Sequence, residues 1–120
     1  MKKLQIDFCD FIYHDDGILE VIVKPDIEID SVMAKEYLNF LESIEPTPSQ
    51  FLVNRINKYS YTFKASLLLA SAKVPQNVAV VKYGRLPWPL KGLFTPTLYR
   101  LAFFDERDAA INWLKSKKIN

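Results

Sequence analysis

The sequence has one cysteine and one histidine among its 120 residues. Cys9 alone can form no internal disulfide, so the fold needs no oxidising compartment. Glycine is equally scarce: Gly17, Gly84 and Gly92 are spread along the chain and make no glycine-rich phosphate loop. No apolar run approaches the roughly 20 residues that span a bilayer. Met1-Lys2-Lys3-Leu4 starts like a secretion signal, but Gln5, Asp7 and Asp10 interrupt any apolar core of one. An excess of one charge is also missing. Sixteen basic against 14 acidic residues give a net charge of +2, which is no electrostatic footprint for nucleic acid. Paired carboxylates do not stand out beyond turns and caps, and no Ser-His-Asp order is present. These absences disfavour an enzyme, imply no cofactor and no integral membrane segment, and lead us to expect a cytoplasmic protein.

What is present is the raw material of a core. Hydrophobic residues make up 49% of the chain and aromatics 13%, and the length suits one domain over residues 1–120. Residues 4–13 read as a first strand whose alternation lapses after Asp10, as at a bulge. His14-Asp15-Asp16-Gly17 is a hairpin turn, and residues 18–23 return as a β-branched strand. Asp30 or Ser31 then caps a helix striped by Met33, Tyr37, Leu41 and Ile44. Residues 51–56 (FLVNRI) are the expected central strand. A helix over residues 62–72 is apolar around most of its circumference, and residues 78–83 are another strand. Residues 84–96 carry Pro87, Pro89 and Pro96, with a short helix expected near Trp88. A last strand over 97–104 precedes a helix over 106–117, with Asp105 as its cap. The order predicts an α/β fold. Its mixed five-stranded sheet begins with an antiparallel hairpin and continues in parallel strands, with right-handed crossovers and helices mainly on one face.

Alternation places one charge among apolar neighbours in each of four strands: Glu20, Arg55, Lys82 and Arg100. A sheet covered on both sides reads as near-continuous apolar runs, so these charges predict one partly open face. Arg55, Lys82 and Arg100 on it would form a candidate partner surface.

The closing stretch LYRLAFFDERDAAINWLK, residues 98–115, resembles the end of STAS-like, SpoIIAA-like domains, bacterial proteins of unassigned role. Asp105, Ala110, Trp113 and Leu114 match their strand, acidic cap and Ala-x-x-Trp-Leu helix. Residues 78–82 match the preceding Ala-Val-Val strand. The resemblance covers nearly the whole chain. It implies a non-enzymatic regulatory or protein-interaction module, binding a protein partner or a second copy. More distantly it is similar to the lipid-binding CRAL-TRIO fold, which implies the alternative of a small apolar ligand or lipid carrier. Anti-sigma-factor antagonists of this type carry a regulatory Ser or Thr in an Asp-Ser-Ser/Thr-Gly context. Here residues 57–62 read NKYSYT, without the acidic residue or the glycine.

Ser60 and Thr62 are accordingly candidates for phosphorylation or for N-capping the following helix. Trp88, Lys91 and Phe94 are candidates for ligand or membrane contact, since Trp beside basic residues suits an interface. His14 lies beside two aspartates in a turn, where consecutive residues cannot converge on a metal, and a solvated turn is expected. Cys9 lacks an activating base in reach and is expected as a small core or surface residue.

Overall fold

The computed structural model describes residues 1–72, 75–84 and 99–117. Its first surprise is local. Lys2–Ile6 (β1) and Cys9–Tyr13 (β2) are separate strands, paired antiparallel from Lys2↔Tyr13 to Ile6↔Cys9. The apparent bulge is therefore a tight turn at Asp7-Phe8. A two-residue turn shifts parity, so Leu4 and Ile6 share a face with Cys9, Phe11 and Tyr13. The second turn is as expected. Gly17 adopts φ 89°, and its N–H donates to His14 O at 3.0 Å. Ile18–Val23 (β3) then pairs antiparallel with β2.

Two three-residue strands escaped the sequence reading. Ile27–Ile29 (β4) leads into the helix Ser31–Ser43 (α1), whose cap is Asp30, accepting from Met33 N at 2.9 Å. Gln50–Arg55 (β5) is followed by Tyr59–Tyr61 (β6) and the helix Phe63–Ala70 (α2). β4 and β6 pair in parallel as a small ribbon of their own. Bonds from Asp26 N to Lys58 O (2.7 Å) and from Thr62 N to Ile29 O (2.9 Å) close its ends. The ribbon thus ties together the two connections that enter α1 and α2.

Asn77–Lys82 (β7), Arg100–Phe104 (β8) and the helix Arg107–Lys117 (α3) complete the described elements. Asp105 does not cap α3; its carboxylate takes an ion pair from Lys82. Among the described residues the main sheet has six strands, not five, in the order β1-β2-β3-β5-β7-β8. β3, β5, β7 and β8 run parallel, and β5 lies in the interior as expected.

The register assigns the faces. Leu19↔Phe51↔Val78↔Leu101 and Val21↔Val53↔Val80↔Phe103 share one face. It is packed by α1 and α2 around Phe11, Leu41, Phe51 and Ala65. Both crossovers advance across the sheet in the same direction, so one handedness puts both helices on the same side. α3 follows the edge strand and is free of that constraint. It covers the opposite face, where Ala110 and Leu114 pack on Ile18, Leu52, Ala79 and Val81. The helices are therefore divided two to one among those described, and the second face is closed over β5 and β7.

Candidate functional site

The two faces differ in how they are filled. Beneath α1 and α2 lies a cavity of ≈ 70 Å³. This is several times the roughly 10–15 Å³ that one water needs. Val21, Val53, Val78 and Val80 form its floor, Ala34, Leu38 and Leu41 contribute from α1, and Leu69 from α2. One wall comes from the ribbon: Ile29, Tyr59 and Tyr61 all line it. Residues i and i+2 of a strand share a face, which turns both tyrosines the same way, with their rings edge to face at 5.6 Å. Burial pushes the Tyr37, Tyr59, Tyr61 and Tyr99 hydroxyls above their ordinary pKa, so the four phenols around the cavity stay neutral.

Arg55 is the one charged side chain among the described lining residues. It sits at the end of β5, and its guanidinium is held against the ribbon. Nη2 donates to Tyr59 O at 2.9 Å, and Cζ lies 4.0 Å from the centroid of the Tyr59 ring. The Tyr59 hydroxyl is buried without a hydrogen-bond partner of full geometry among the described residues, with Tyr61 beside it.

The opposite face holds a different cluster. Glu20 is 3% exposed, yet its carboxylate accepts from Asn54 Nδ2 (2.8 Å) and Arg107 Nη2 (2.7 Å), and it meets His14 Nε2 at 2.9 Å. Burial pushes its pKa up, but the bonds from Arg107, Asn54 and His14 outweigh that and bring it down to about 2. The carboxylate is thus held ionised, and it pins the first residue of α3 to β3. His14 is therefore not a solvated turn residue as expected; the hairpin turn aims it at Glu20. Cys9 is a packing residue, fully buried, and burial pushes its thiol up to about 12. Among the described residues, no group of His, Cys, Asp and Glu is arranged to hold a metal ion, and no helix is long and apolar enough to cross a membrane.

The expected partner surface does not assemble. Arg55 and Lys82 are register partners on the α1/α2 face, but Arg100 pairs with Asn77 and points to the α3 face. The cause is a one-residue offset in parity between β7 and β8, which counting along separate strands cannot reveal. Lys82 is in addition ion-paired with Asp105. Thr62 is the N-cap of α2, accepting from Ala65 N at 3.2 Å. Ser60 lies in β6 opposite Glu28. Trp88, Lys91 and Phe94 lie outside the described residues. The tyrosines of β6 were missed as site residues, although Ile27-Glu28-Ile29 and Tyr59-Ser60-Tyr61 both alternate apolar and polar.

No protein-family model matches the chain, and no curated protein matches it. Among solved structures, the chain is similar to the crystal structure of an uncharacterised protein of the DUF3478 family, with a SpoIIAA-like fold, from Shewanella loihica PV-4. The TM-score is 0.61 at 19% identity, over 88% of this chain and 91% of that one. The fold is SpoIIAA-like. This agrees with the resemblance carried by residues 98–115, and at such identity the likeness speaks to architecture alone.

Proposed function

We propose that this SpoIIAA-like chain is a non-enzymatic binding module that carries a small apolar molecule between α1, α2 and the sheet. The observation that carries the reading is the cavity itself. Well-packed cores hold few voids larger than a water molecule. This one is several waters in size, and its lining is almost wholly apolar. An apolar occupant regains the dispersion contacts that an unfilled cavity forfeits. Val53 faces the cavity and is half-buried, so Val53→Trp narrows it from the exposed side. Extraction of the purified protein and mass spectrometry of the extract are expected to find a stoichiometric apolar compound in wild type and little in Val53→Trp. Equal and negligible recovery from both would end the proposal.

A second reading, the regulatory or protein-interaction module, draws on α2. Phe63 and Leu67 are 63% and 49% exposed and lie one helical turn apart. Apolar residues placed so are a contact stripe. Light scattering and native pull-down of wild type against Leu67→Glu separate this reading from the first.

A further inference from the structure

We propose that the occupant of this cavity is an amphipathic carboxylate, with its tail over the valine floor and its head at Arg55 and Tyr59. The inference rests on the cavity being a binding site and adds the chemistry of the head group. Two independent observations point to it. The first is an uncompensated cation. A guanidinium presents five N–H donors. Nη2 of Arg55 is used on a backbone carbonyl, and the Tyr61 hydroxyl lies alongside. Among the described residues no carboxylate is ion-paired with it, whereas Lys82, Arg107 and His14 each have one. Nor do residues 73–74, 85–98 and 118–120 contain any Asp or Glu. The second is the Tyr59 hydroxyl, on a residue only 5% exposed, which has the Tyr61 hydroxyl beside it but no hydrogen bond of full geometry among the described residues. A buried donor left unmade costs about 1–3 kcal/mol, so such groups ordinarily mark a missing acceptor.

Both groups belong to the same wall. The Arg55 guanidinium lies over the Tyr59 ring, which keeps the cation and the phenol side by side. A planar carboxylate matches a guanidinium with two parallel hydrogen bonds, which an alcohol or an amine cannot do. The rest of the described lining carries no charge, so nothing there competes for the head or would neutralise a cationic one. The site therefore selects against amines as well as for acids.

The test compares ligands with one tail and three heads: octanoate, octanol and octylamine, titrated by calorimetry into wild type, Arg55→Gln and Tyr59→Phe. Wild type is expected to bind octanoate about tenfold or more tighter than octanol, the ratio that one charge-assisted hydrogen bond supports. Arg55→Gln is expected to remove that preference, weakening octanoate far more than octanol, and Tyr59→Phe to weaken octanoate more than octanol. Equal binding of octanoate and octanol by wild type would overturn the head-group assignment and leave the carrier reading standing. Absence of binding for all three would overturn both. Should Arg55→Gln fail to fold, the wild-type ratio still decides, and Arg55→Lys is expected to keep part of the preference.

Discussion

The two faces of the sheet solve the same packing problem in opposite ways. On the α3 face small and branched residues close tightly: Ala79, Val81, Ala110 and Leu114 are essentially unexposed, and one buried carboxylate is fully engaged. On the α1/α2 face the residues are larger and aromatic, and they leave a cavity with a guanidinium at its wall; buried polar atoms without a partner among the described residues occur on both faces, Tyr59 Oη here and Gln50 Oε1, Asn54 Oδ1 and Asn77 Oδ1 under α3. The α3 helix follows β8 and returns the chain to no described strand, whereas α1 and α2 each lead to the next parallel strand and have their starts tied by the ribbon. One face is thus closed by packing, and the other keeps a cavity.

The contrast can be broken most directly by adding volume. Ala110→Leu is expected to destabilise by about 2–3 kcal/mol, because overpacking a closed interface forces neighbours out of place. Ala34→Leu, into the cavity lining, is expected to cost under about 1 kcal/mol and to block ligand recovery. Chemical denaturation of the two variants side by side checks both. If they lose equally, the faces are packed alike.

A smaller effect separates the faces by pH. Glu20 has a folded pKa of about 2, below its ordinary value of 4.5. Its contribution is therefore present above about pH 4.5 and is lost progressively as the pH falls toward about 2. Acid titration of Glu20→Gln is expected to show a shallower fall over that window than wild type. Arg107→Ala is expected to cost about 1–2 kcal/mol near neutrality, less than a wholly buried pair would, because the Arg107 side chain is 40% exposed. A last effect belongs to the cavity side. Thr62→Ala removes the cap of α2 and is expected to cost about 1 kcal/mol, read as a lower melting temperature.

How much of this was legible depended on the length of the signal. The stripe of α1, the β-branched run of β7 and the interior position of β5 could be read because each repeats a period several times. The turn at Asp7-Phe8 was missed because Asp7 is a lone turn-former with no glycine beside it, although the switch from even to odd apolar positions encoded it. Three-residue strands hold less than two periods, so β4 and β6 were invisible, and with them the tyrosine wall. The grouping of Arg55, Lys82 and Arg100 failed for another reason. Which face a strand residue shares with a residue on the next strand is set by register, a property of pairs that no single strand displays. The engagement of His14 with Glu20 is likewise non-local.

The bridge between Ile27–Ile29 and Tyr59–Tyr61 has a mechanical consequence. Tyr59 stands three residues before Thr62, and the same short ladder holds Asp26 and Ile29 at the entrance to α1. The starting points of both helices are therefore joined through one ladder, as a latch shared by two doors. The outward side chains Val32 and Phe63 ride on those first turns.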